Sequence, residues 1–170
     1  MFQVKLFPHS LHPPSCVTAI DATVWREADR WHFRYVLDGT DSLVLPDSAE
    51  PTRTDNLWQT TCFEAFIGGE GEAYREFNFS PSRQWAAYAF DAPRDGMRDA
   101  DAAIEVWLEG GADWIAVEAA VAGDFTFGSP FNLTAVIEEN GGRKSYWALG
   151  HPLGPPDFHD PACFLARLPE

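Results

Sequence analysis

Along most of the chain, apolar and polar residues alternate with a period of two. In WHFRYVLD (31–38), Trp31, Phe33, Tyr35 and Leu37 fall on one side and His32, Arg34 and Val36 on the other. In YREFNFS (74–80), Tyr74, Glu76 and Asn78 share one face, and Phe77 and Phe79 share the opposite one. AAIEVWLEG (102–110) and DWIAVEAAV (113–121) alternate in the same way, with Gly110-Gly111 between them as a hairpin turn. Successive side chains of a strand point to opposite faces, so the pattern predicts strands with one buried face. CFEAFIGGEGEAYREFNF predicts a second hairpin, closing through 68–72, and further strands are expected near 2–7, 16–25, 84–90, 131–138, 144–149 and 163–168. No window of ten or more residues carries a helical stripe.

Between these runs lie three long connections: SAEPTRTDNLW (48–58), APRDGMRDADA (92–102) and HPLGPPDFHDPA (151–162). There is no repeat, no low-complexity block and no linker, so residues 1–170 read as one domain. About ten short strands at this spacing predict an all-β fold, a two-sheet antiparallel sandwich, with a closed barrel as the alternative.

Composition narrows the partners. The 170 residues are 45% apolar and 14% aromatic, which is enough to build a packed core. A formal charge of −14 with no basic stripe argues against nucleic acid and against an anionic membrane surface. The three cysteines, Cys16, Cys62 and Cys163, are far apart and form no CxxC, so they read as reduced thiols, with Cys62 in the core. The start, MFQVKLFPHSLHPP, has neither the apolar run of a secretory signal nor that of a membrane span. The expected location is the cytoplasm.

One stretch breaks the pattern. In DNLWQTTCFEAFI (55–67), Trp58 precedes an apolar strand whose single charge is Glu64. A charge in such a run needs a partner. This segment, LWQTTCFEAFI, resembles the Trp and, six residues later, Glu that open a central strand in family 9 carbohydrate-binding modules. YREFNFSP follows as the next strand does there, FNLTAVIEENGGRKSYWAL resembles a later strand pair, and DFHDPACFLARL resembles the closing aromatic-x-Asp-Pro-x-x-Phe run. The order and spacing hold over roughly residues 20–168, and the wider grouping is the DOMON-like superfamily of β-sandwiches, whose members bind sugars or haem.

The resemblance implies non-catalytic binding of a small carbohydrate or a related polar ligand. Trp58 stands where the family has its first stacking ring and Phe158, just before His159, where the best-known members have a second Trp. Glu64 falls on the hydrogen-bonding carboxylate. Asn78 falls where some members carry an Arg, and Pro155 near a position where they use Asn. The implied ligand residues are therefore Trp58, Glu64, Asn78, Phe158 and His159. The chemistry is coherent: sugar C–H groups pack on aromatic faces, and a carboxylate accepts hydroxyl hydrogen bonds.

Each assignment has a plainer competitor. Trp58 and Phe158 could fold over the edge of the core, Glu64 could pair with Arg75 or Arg83, and Asn78 could make a cross-strand hydrogen bond. Filled in that way, the fold would be a structural or protein-interaction domain with no open cleft. Glu64 and Glu76 could instead form a glycosidase-like carboxylate pair. No metal is expected, since the histidines form no zinc motif and Asp91, Asp95, Asp99 and Asp101 form no EF-hand. Structural calcium enters only through the family resemblance. No haem is expected either: Met97 is the single internal methionine, with His151 and His159 the candidate partners.

Overall fold

The computed structural model describes residues 1–170. The chain forms thirteen strands and no α-helix. In order these are β1 (Phe2–Lys5), β2 (Phe7–Pro8), β3 (Ala19–Glu27), β4 (Arg30–Asp38), β5 (Cys62–Gly68), β6 (Tyr74–Phe79) and β7 (Trp85–Phe90). Then follow β8 (Arg98–Asp99), β9 (Ala103–Gly110), β10 (Trp114–Ala122), β11 (Pro130–Glu139), β12 (Arg143–Ala148) and β13 (Ala166–Arg167). They make two antiparallel sheets. One runs β1-β3-β4-β10-β9, and the other β2-β12-β11-β5-β6-β7-β8 with β13 paired to the start of β11. The sheets remain separate, so the fold is the sandwich and not the closed barrel.

The main core lies between the sheets. Trp31, Phe33, Tyr35 and Leu37 of β4 are fully buried against Phe63, Ala65 and Ile67 of β5 and Phe77 and Phe79 of β6. Phe33 stacks on Phe79 at 5.7 Å, and the Tyr35 hydroxyl donates to the Glu64 backbone carbonyl at 2.7 Å. Each such ring contributes roughly 1.5–3 kcal/mol by leaving water.

A second, smaller cluster sits on the far side of the larger sheet. It joins Leu57, Cys62, Phe66, Tyr74, Ala86, Tyr88 and Phe90. The long connections fold over that face, so β5 is buried on both sides and burial along it does not alternate. Cys62 is buried in this outer cluster and not in the inter-sheet core.

The differences from the sequence pattern have local causes. The expected strand at 2–7 splits: Phe2–Lys5 pairs with β3, whereas Phe7–Pro8 crosses to the edge of the other sheet, where Pro8 needs no ladder donor. The strand expected from 16 starts at Ala19, because the Ser15, Cys16 and Val17 N–H groups go to the Glu139 carboxylate. The stretch 163–168 opens with a 3-10 turn, Pro161–Cys163, capped by Asp160, and keeps only two paired residues.

Candidate functional site

The cleft is built on the outer face of β5, β6, β7, β11 and β12. Alternation puts Cys62, Glu64 and Phe66 of β5 on that face, opposite the core residues Phe63 and Ala65. The register then fixes the neighbours. Glu64 lies opposite Asn78 on one side and Thr134 on the other, and Phe66 lies opposite Glu76. Glu64 and Glu76 are therefore diagonal neighbours on one face, a relation that sets Cα atoms roughly 7–8 Å apart.

Both carboxyls are nearly out of water, Glu64 at 3% exposure and Glu76 at 6%. Thr134 Oγ1 donates to Glu64 Oε2 at 2.8 Å, and Asn78 Nδ2 donates to Glu76 Oε1 at 2.8 Å. Burial and then the nearby Glu76 push the Glu64 carboxyl up to about 8, against the pull of the Thr134 hydrogen bond. Burial raises Glu76 too, with Asn78 and Arg94 opposing. The floor thus holds two acids that cannot both ionise cheaply.

His159 closes one side. Tyr74 Oη lies 2.7 Å from His159 Nδ1 and accepts from the Arg94 backbone N–H at 3.2 Å. The network assigns the tyrosine proton to Nδ1 and leaves the ring N–H on Nε2, which faces Glu76 Oε2 at 3.8 Å. Burial and then Arg94 lower this imidazole to about 4, so it stays neutral and adds no positive charge.

The walls are aromatic. Leu57 is buried and anchors a 3-10 turn, Leu57–Gln59, entered through Asn56 at φ 63, a left-handed geometry that asparagine tolerates. The turn leaves the next residue, Trp58, 49% exposed on the cleft. Phe158 packs edge-on against Phe66 at 6.4 Å and Tyr146 at 6.2 Å. Tyr88, whose hydroxyl donates to Asp55 at 2.7 Å, and Phe90 complete the far wall. The open cleft has a volume of about 790 Å³, the size of a small-molecule site.

Trp58, Glu64, Phe158 and His159 all line this one cleft. Asn78 does not. It is 1% exposed and lies a layer below, its amide N–H given to Glu76 and its oxygen 3.8 Å from Cys62 Sγ. The expected sugar contact of Asn78 is replaced by a positioning role. Glu64 has no arginine partner either: Arg75 lies over the Phe125 ring at 5.6 Å, and Arg83 occupies an exposed turn. Tyr88, Tyr146 and Arg94 were not marked by the sequence pattern. For Tyr88 and Tyr146 the signal was their even-position phase with Glu76 and Thr134 across the register; Arg94 had none.

Asp91 pairs with Arg98 at 2.7 Å and Asp99 with Arg53 at 2.5 Å, and nowhere do three metal-ligating side chains converge. Met97 does reach the cleft. Of the histidines expected beside it, His159 is bonded to Tyr74 through Nδ1, and His151 donates through Nε2 to the Phe7 carbonyl at 2.8 Å.

The same fold occurs elsewhere. A solved structure of a "putative carbohydrate-binding protein" from Bacteroides uniformis superposes with a TM-score of 0.69 at 12% sequence identity, covering 95% of this chain and 83% of that one. No family model matches the chain, and no curated protein matches its sequence. At this identity the likeness establishes the sandwich, while the chemistry has to be read from the cleft itself.

Proposed function

We propose that the domain binds a small carbohydrate, or a related polar cyclic ligand, in the cleft between Trp58 and Phe158, without transforming it. The observation that carries this reading is a single open cleft with aromatic walls and a hydrogen-bonding floor. An apolar ring face packs on the walls while hydroxyl groups meet Glu64, Glu76 and the Nε2–H of His159. The half-exposed Trp58 argues against a filled, purely structural face. The shared fold of the Bacteroides protein and the resemblance to family 9 carbohydrate-binding modules support the same reading.

The carboxylate pair favours a second reading, hydrolysis of a glycoside, because two neighbouring carboxyls, both raised by burial, can act as acid and base. Both groups rise from one sheet face, beneath the ligand, whereas hydrolysis needs them to flank the scissile bond.

Calorimetric titration with mono- and disaccharides tests both. Binding is expected in the millimolar to micromolar range, and Trp58→Ala weakens it about tenfold or more. Unchanged affinity in that variant removes Trp58 from the site. Release of nitrophenol from aryl glycosides, lost in Glu76→Gln, would replace the binding reading with the hydrolytic one.

A further inference from the structure

We infer that the cleft's occupant is a cation, an amino sugar or a cyclic amine of similar size, with Glu64 and Glu76 as its counter-ions. The inference rests on the binding reading above and narrows the ligand class.

The first argument is the charge balance. Every guanidinium at the rim already has its carboxylate: Arg94 pairs with Asp157 at 2.8 Å, and Arg53 with Asp55 at 3.1 Å and Asp99 at 2.5 Å. Neither Glu64 nor Glu76 makes a salt bridge to a lysine or arginine; Arg94 acts on Glu76 only from a distance, its guanidinium being held by Asp157. The histidine beside them is neutral. No lysine or arginine is therefore bonded to the two acids on the floor, and an arriving ammonium meets them unpaired.

The second argument is the free oxygen of Glu64. The residue is only 3% exposed, and Oε2 takes a hydrogen bond from Thr134. Oε1 has no protein donor and faces the open cleft, where it is left to accept from a ligand. A charged donor makes the stronger bond to it, and a neutral hydroxyl the weaker. With its carboxyl held up at about 8, Glu64 gives its proton to solvent when an ammonium arrives.

The third argument is the walls. Tyr88 already carries the Arg53 guanidinium over its ring at 5.4 Å and Phe90 stacks on Tyr74 at 4.7 Å, which leaves Trp58 and Phe158 as the lining rings for a desolvated ammonium, a cation that aromatic faces attract. The net charge of −14 draws cations toward the protein before they reach it.

The test is a calorimetric comparison of glucosamine, N-acetylglucosamine, glucose and cyclohexylammonium at pH 7, where the first and last are cationic. Glucosamine is expected to bind about tenfold more tightly than either neutral sugar, as a charge-assisted bond is stronger than a neutral one. That preference should fall below about threefold in Glu64→Gln, with Glu76→Gln as the second variant and the melting temperature confirming that each is folded. If glucose binds as tightly as glucosamine, the cation inference is overturned and the carbohydrate reading stands. If cyclohexylammonium binds through Glu64 and no sugar does, the cation inference stands and the carbohydrate reading falls. A preference for glucosamine that survives both variants removes the two acids as counter-ions. Absence of binding by all four ligands to the folded protein overturns both readings.

Discussion

Glu64 and Glu139 sit on neighbouring strands of one sheet, equally hidden from water at 3% and 1% exposure, and their surroundings are opposite. Glu139, at the end of β11, accepts the backbone N–H groups of Cys16 at 2.5 Å, Ser15 at 2.7 Å and Val17 at 3.4 Å, with the Ser42 hydroxyl at 3.4 Å. Burial alone would raise its carboxyl, but these donors outweigh it and hold the group below the usual carboxylate range. Glu64 has one hydroxyl and a second carboxyl beside it, and moves the other way. Burial therefore does not decide what a glutamate does. The number of donors aimed at it does: a satisfied carboxylate staples the N-terminal segment to the sheet, and an unsatisfied one is left facing a cleft.

The same substitution should separate the two most strongly. Glu139→Gln breaks charged bonds to three backbone donors and is expected to cost about 2–4 kcal/mol. Glu64→Gln removes an uncompensated acid and is expected to cost under about 1 kcal/mol, or to stabilise. Urea unfolding of both variants at pH 7 reads the difference directly. Equal costs would mean that Glu64 has a donor set the geometry does not show.

The pH dependence should also run in opposite directions. The Glu139 carboxyl is lowered on folding, so its contribution is present above the ordinary glutamate range near 4.5 and is lost as pH falls through the folded value. The Glu64 carboxyl is raised, so its protonated form is fully favourable below about 4.5 and that advantage is lost as pH rises through about 8. Relative to Glu64→Gln, the natural protein should therefore weaken between pH 5 and 9 by about 1–3 kcal/mol. Stability curves for the two proteins that stay parallel over this range would place the Glu64 carboxyl in ordinary solvent.

This contrast explains what was legible in the sequence. Glu64 stood out because it interrupts an apolar strand, and the phase of YREFNFS put Glu76 and Asn78 on one face. Glu139 gave no such signal: in VIEENGG it reads as a solvated strand end before a glycine turn, and its backbone donors lie more than a hundred residues upstream. Alternation names the two faces of a strand but not which connections will cover the outer one. For that reason the cleft's share of the segment around Arg94 and Met97 was invisible. The ligand role of Asn78 rests on the family resemblance alone, and the residue lies under Glu76. The sandwich itself was readable, since two-residue periodicity determines sheet faces directly; the strand crossing at Leu6 depended on a tertiary pairing with β12.

Thr134 is the finest probe of the comparison, because it supplies the one hydrogen bond that makes Glu64 resemble Glu139 at all. Thr134 is fully buried on β11, opposite Glu64 in the register, with its hydroxyl 2.8 Å from Oε2. Thr134→Val keeps the shape and removes the donor. The carboxyl then loses the only hydrogen bond that lowers it, so it should rise further above about 8, as followed by carbon NMR of the side chain across pH. At pH 7 Glu64 is already mostly protonated, so little charge stabilisation is lost, and the stability cost should stay near or below about 1 kcal/mol. The corresponding loss at Glu139 would strip a carboxylate that is ionised at the same pH, and would cost more. A Glu64 carboxyl that falls in Thr134→Val would show that the hydroxyl accepts from Glu64 rather than donating to it.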